Sequence, residues 1–225
     1  YMALFYNIGF KIFGTPNVGV LFVTLSQMII MASIFTYSLV FLRKRNCPKL
    51  LTYILLIFYA FSSITGYYSI VMWKDVLFAG VTLLLTIECF KLYEKRNNLK
   101  FKNLLSFLIV SLIFVFLRNN AIYAYFILTL IILIIFKKYF KQFAVMFALV
   151  FSVFIFVKGP VFKWCGIQKS SSAEYIGMPL QQVSRIITKN EKLTNNQYLQ
   201  IEKLIPVSII PSAYNPIVSD GIKFN

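Results

Sequence analysis

Three clusters of lysine and arginine divide this chain, and two apolar runs lie between each neighbouring pair. The clusters are Arg43, Lys44, Arg45 and Lys49; then Lys91, Lys95, Arg96, Lys100 and Lys102; then Lys137, Lys138 and Lys141. The apolar runs cover about 20–42, 50–64, 76–90, 104–117, 121–136 and 143–157. Basic loops stay on the cytoplasmic side of a membrane, so all three clusters can share that side only if an even number of crossings separates them. Two runs per interval meet that condition. The inverted arrangement would export twelve of the 23 basic residues.

The fold class predicted on this basis is an all-α integral membrane protein with about six transmembrane helices in three out-in and in-out passes. A small, mostly helical extracytoplasmic module follows. Residues 1–17 form an extracytoplasmic segment, 18–160 the six-helix region, and 161–225 the module, whose missing remainder is expected beyond Asn225. Hairpin tips fall outside at about 65–75 and 118–120. The protein is then a multi-pass cell-membrane protein, and both ends of this stretch are extracytoplasmic. Starting at Tyr1 and stopping after a polar segment, it reads as a piece of a longer chain. Composition agrees with a membrane setting, since 13% of residues are charged against roughly 25% in an ordinary soluble domain.

Several runs are short. About 14 residues of helix cover roughly 21 Å, less than the roughly 30 Å hydrocarbon core. Either lysine and arginine snorkel to extend these helices, or their outer ends open into a wet cavity within the protein. In the tail, Pro179 stands near the start of a helix through LQQVSRIITKN, and Thr194 caps the helix that follows.

The chain has no histidine, which removes imidazole catalysis and imidazole metal ligation. Cys47, Cys89 and Cys165 show no metal spacing and fall on different sides or depths of the predicted bilayer, so no disulfide is expected. No Walker loop, dinucleotide fingerprint, GxSxG elbow or HExxH is present. The positive charge is mostly an orientation signal, so nucleic acid is not an expected partner.

Two outer tips carry candidate chemistry. Lys74 and Asp75 follow Trp73 at the outer start of the third run. An acid in a first helical turn complements the dipole and a lysine can snorkel, yet ionisable groups at membrane depth are also candidate sites. Arg118-Asn119-Asn120 is a tight polar turn, and turns need polar residues anyway. Its arginine also suits a two-point grip on phosphate. Together these tips describe a cation-lined, acid-containing pocket for a lipid-linked phosphate. Glu88 is expected to pair with Lys91. Gln181, Gln182 and Arg185 share one helix whose face is either solvated or ligand-facing. Asp220 sits in a turn-like setting, and Tyr67, Tyr68 and Trp73 read as interfacial aromatics that can also stack on sugars.

The stretches FYNIGFKIFGTPNVGVLFVTLSQM, WKDVLFAGVTLL, FLRNNAIYAY, GMPLQQVSRII and YNPIVSDGIK resemble, in order and spacing, a family of large polytopic proteins of Gram-positive bacteria. Most of its members are of unknown function, and it is similar to the GT-C class of membrane glycosyltransferases. The resemblance implies transfer of a sugar from a polyprenyl-phosphate donor to a cell-envelope glycan acceptor on the outer face of the membrane. It also implies that the principal catalytic acid lies before Tyr1. Asp75 is then a supporting or acid/base residue. Lys74, Arg118, Asn119, Gln181, Gln182, Asp220 and Lys223 line the substrate site, with Pro179 matching the family beside them. No cofactor is implied, and a divalent cation is left open. The competing expectation is a non-catalytic membrane protein, such as a lipid-linked-sugar transporter or an envelope-assembly scaffold. A transport path would carry polar residues through the spans, where Glu88 is the one acid.

Overall fold

The computed structural model describes residues 1–167, 177–189, 193–203, 206–216 and 221, and among them all regular structure is helical. The chain divides into two compact units, Tyr1–Gly159 and Pro160–Asn225. In the first unit α1 is Met2–Phe13, α2 Pro16–Arg43, α3 Lys49–Phe61, α4 Ser63–Ile70, α5 Lys74–Glu94, α6 Phe101–Leu117, α7 Ala121–Ile135 and α8 Phe140–Phe156. Three helical stretches are long and apolar enough to cross a membrane: Pro16–Arg43, Lys74–Glu94 and Lys137–Trp164. α6, with 17 residues, and α7, with 15, are shorter.

Three details depart from the sequence expectation. The apolar run 50–64 is not one straight helix, because it breaks at Ser62 and its two pieces, α3 and α4, meet at a bend of 49°. Ser62, Ser63, Thr65 and Gly66 crowd that point. Hydroxyls compete for the backbone and glycine weakens helix, so the chain turns where both are concentrated. The tip expected at 65–75 is helical as far as Ile70, and only Val71–Trp73 is extended between α4 and α5. Conversely, the run 76–90 underestimates its helix. Lys74 and Asp75 at one end, and Lys91 to Glu94 at the other, add turns to reach 21 residues.

Helix α2 packs against α1, α3, α4 and α5. Its closest neighbour is α1, because Gly9 and Gly19 face each other. A Cβ on Gly9 would lie 2.8 Å from the Val18 carbonyl oxygen, and one on Gly19 would lie 2.8 Å from the Tyr6 ring. Small residues at such a seam let backbones approach closely enough for dispersion to hold them, which matters where apolar surroundings remove the hydrophobic drive. At its other end α2 closes with a Schellman motif. Asn46 takes the left-handed conformation at φ 57°, its N–H reaches the Arg43 carbonyl at 3.2 Å, and the Cys47 N–H reaches the Leu42 carbonyl at 3.2 Å.

Helices α5 to α8 share the largest core, in which Leu85, Phe107, Val115, Tyr125, Phe143, Phe147 and Val150 are buried. Contacts link the three basic clusters at one end of the unit. Arg45 makes a two-point ion pair with Glu94, its Nε donating to Oε1 at 2.6 Å. Tyr139 and Lys138 both donate to the Asn97 carbonyl at 3.2 Å. Glu88 pairs with Lys91 at 2.6 Å, as the i,i+3 spacing predicts.

In the second unit α9 is Phe162–Trp164, α10 Gly177–Thr188, α11 Asn195–Glu202 and α12 Ile210–Ala213. Leu180, Val207 and Ile210 form its small buried core. Thr194 caps α11 reciprocally: its Oγ1 accepts from the Gln197 N–H and its own N–H donates to Gln197 Oε1 at 3.0 Å.

The glycine seam gives a direct test. Gly19→Leu should separate α1 from α2 and cost about 1–3 kcal/mol, lowering the thermal midpoint in detergent by several degrees. Gly66→Ala, where an added Cβ meets nothing within 4 Å, should leave the midpoint unchanged or raise it through helix propensity.

Candidate functional site

Helices α5 and α6 are connected sequence neighbours that pack side by side, so the start of α5 and the end of α6 fall at the same end of the bundle. An acid belongs at a helix N-terminus and a cation at a C-terminus, and this pair carries one of each. Asp75 stands in the first turn of α5, and Arg118 is the extended C-cap of α6. Arg118 Nη1 approaches Asp75 Oδ1 to 3.4 Å. One turn into the bundle, the Phe78 and Phe114 rings stack with centroids 4.9 Å apart, and the Arg118 guanidinium lies 5.7 Å from the Phe78 ring. Asp75 Oδ1 is sealed from solvent and makes no hydrogen bond, although the Asp75 side chain as a whole is 47% exposed. The contact is therefore an ion pair at long range, with the second carboxylate oxygen left open.

The turn after α6 adds to this end. Asn119 Oδ1 accepts from Lys158 Nζ at 2.7 Å. Lys158 lies in the wide helical turn Val157–Val161, where Gly159 and Pro160 interrupt regular α-helix at the end of α8. Lys74 is exposed beside Asp75 and lies within electrostatic range of Lys158. Among the described residues, three cations and one carboxylate gather here.

Beside this cluster is a cavity of about 290 Å³ between α2, α4 and α5, walled by Met31, Phe35, Tyr68, Ser69, Trp73 and Asp75 among others. It is close to the lower end of the range for small-molecule pockets, roughly 300–1,000 Å³. The wall differs from the cation-lined pocket expected from the sequence. Asp75 lines it, whereas Lys74, Arg118 and Asn119 do not. The cause is the break at Ser62, which brings α4 over α2 and gives the cavity apolar and aromatic walls.

The structure depends here on a residue that sequence reasoning passed over. Gln27 is completely buried in the middle of α2. Its Nε2 donates toward the carbonyls of Tyr68 and Ser69 at 3.2 Å and of Val71 at 2.7 Å, and its Oε1 accepts from the Tyr1 hydroxyl at 2.9 Å. Those carbonyls belong to the last turn of α4 and the extended link, where intrahelical partners run out. A glutamine in the middle of a 28-residue apolar helix was the signal.

The remaining predicted residues lie in the second unit. Gln181 Nε2 donates to the Asn215 carbonyl at 3.1 Å, which ties α10 to the segment after α12, and Gln182 is exposed. Asp220 and Lys223 lie outside the described residues. Among the described residues no group of three metal-ligating side chains comes together.

These contacts differ in what they contribute to stability. Asp75→Asn or Arg118→Ala should shift unfolding by less than about 1 kcal/mol, the usual range for a half-exposed pair. Gln27→Leu should cost about 2 kcal/mol or more, because it strips buried carbonyls of their donor. Thermal unfolding of the three variants in detergent checks the ranking.

Residues 1–224 match a family of unknown function (DUF6020). No curated protein and no solved structure gives a match.

Proposed function

The chain belongs to this family, and from that premise we propose a membrane glycosyltransferase of the GT-C kind, taking a sugar from a polyprenyl-phosphate donor to a cell-envelope glycan on the outer face. The observation that carries the reading is the Asp75–Arg118 ion pair at 3.4 Å beside the Asn119–Lys158 hydrogen bond and the aromatic-walled cavity. A group of cations at the end of an apolar bundle suits an anion attached to a hydrocarbon tail. The reading takes six spans, with α3 and α4 as one broken span, and puts this end outside and the linked basic clusters inside, in keeping with the positive-inside rule.

In the reaction, an acceptor hydroxyl attacks the anomeric carbon and the bond from that carbon to the phosphate oxygen breaks. The electron pair stays on the lipid phosphate. Arg118, Lys158 and Lys74 stabilise the charge that develops there, and preorganised cations at such a point contribute strongly because they need no rearrangement. The hydroxyl proton passes to a carboxylate. Asp75 pairs with Arg118 and lines the cavity, which fits a supporting or acid/base role. Tyr68 and Trp73 offer faces on which a sugar ring can stack. In this reading Gln181, Gln182, Asp220 and Lys223 also contribute to substrate binding.

Transfer from a labelled polyprenyl-phosphate sugar by the full chain in liposomes tests the proposal. Arg118→Ala should lower kcat by about 10²-fold or more, in line with loss of a charge-stabilising donor. Asp75→Asn should lower it by about tenfold or more, within the range for acid–base assistance. Transfer that survives both changes would end the assignment. Donor binding without turnover in the unaltered protein would replace it with a non-catalytic carrier of lipid-linked sugar.

A further inference from the structure

A second cavity, of about 430 Å³, lies at the opposite end of α5 from Asp75, between the last turns of α2 and the first turns of α3. Arg43, Lys44 and Lys49 stand at its mouth, and Leu39, Val40 and Leu56 form its apolar wall. Arg45, from the same cluster, is consumed by structure, since it pairs with Glu94 and lies 3.5 Å from the Phe41 ring centroid. The other three cations are used differently. Among the described residues no carboxylate lies within ion-pair distance of Arg43, Lys44 or Lys49, and all three are exposed. The Schellman turn at Asn46 fixes the angle between α2 and α3, so the mouth is held open by backbone hydrogen bonds. No side chain caps the start of α3, and the N–H groups of such a first turn favour an anion.

From this arrangement we infer that the cleft is a binding site for an anionic phospholipid of the inner leaflet. The headgroup phosphate meets Arg43, Lys44, Lys49 and the α3 N-terminus, and the first part of an acyl chain lies along Leu39, Val40 and Leu56. Charge alone would draw such lipids to any basic loop. What marks this one is three cations without a carboxylate partner among the described residues, Arg43 donating only to the Cys47 carbonyl at 3.4 Å, around a walled cleft lined further in by apolar side chains. Free phosphate shares the headgroup chemistry and lacks the tail, so the apolar wall assigns the site to a lipid. The inner leaflet follows from the six-span reading above, and the inference otherwise stands on different residues from the proposed transferase site.

The experiment uses the full chain purified in detergent and exchanged into phosphatidylcholine nanodiscs containing a small fraction of phosphatidylglycerol, with retained lipid counted by native mass spectrometry. The unaltered protein should keep one phosphatidylglycerol in preference to phosphatidylcholine. The triple change Arg43→Gln, Lys44→Gln and Lys49→Gln should reduce that retention by tenfold or more. Thr36→Trp, which fills the cleft wall and leaves every charge in place, should reduce it at least fivefold. A control with the same loss of charge, Lys102→Gln, Lys137→Gln and Lys141→Gln, should retain the lipid within twofold. Equal loss in the control would show general charge attraction, and full retention in Thr36→Trp would show a surface headgroup contact without a cleft. Displacement of the lipid by millimolar inorganic phosphate would show a free-anion site. Any of these three results overturns the inference.

Discussion

A backbone carbonyl in apolar surroundings must find a donor, and in this protein one side chain answers for a whole helix end. Where α4 stops at Ile70 and the chain runs extended to Trp73, the carbonyls of Tyr68, Ser69 and Val71 have lost their helical partners. In water they would be solvated. Beside hydrocarbon, non-helical backbone persists only where protein covers it, and the Gln27 amide provides that cover. The position of α4, the entry angle of α5 and the cavity between them all follow from this bond set. The Tyr1 hydroxyl completes it by occupying the amide oxygen, and the close α1–α2 seam at Gly9 and Gly19 holds Tyr1 within reach.

Helix α5 links two electrostatic environments. Its first turn carries Asp75 opposite the C-terminal Arg118 of α6, and its last turns carry Glu88 and Glu94 opposite Lys91 and Arg45. The three carboxylates of residues 1–159 therefore all lie on one helix. Each is matched by a cation from α5 itself or from a packing neighbour. That distribution accounts for a helix with scattered polar residues sitting between α2 and the α6–α8 core without leaving a carboxylate unaccompanied.

Much of this was legible in the chain. The apolar runs mark the helices α2, α3 and α5 to α8, because burial beside lipid demands unbroken apolar stretches. The grouping of Asp75 with Arg118 at one end of the bundle followed from counting crossings. Glu88 announced its partner by its spacing to Lys91. The break at Ser62 was less visible, since a few serines and a glycine inside an apolar run are compatible with a continuous helix until a neighbour such as Gln27 rewards the bend. Gln27 itself stood in plain view as a polar exception, but its partners are carbonyls 41 to 44 residues away, and no local pattern records them. The bond from Lys158 to Asn119 depended on the wide turn at Val157–Val161, which the Gly-Pro pair marks only as an interruption. Asp220 and Lys223 lie outside the described residues.

Asp75 has a property that composition does not describe. A carboxylate in water is symmetrical, and a partner can reach either oxygen from any bearing. Here Oδ1 is turned inward against Arg118 and closed off, while the rest of the side chain remains half exposed. The fold has converted a two-fold group into one with a single open lobe. Any hydroxyl, ammonium or metal-bound water that engages it must come from that side, so the stereochemistry of approach is set before anything binds.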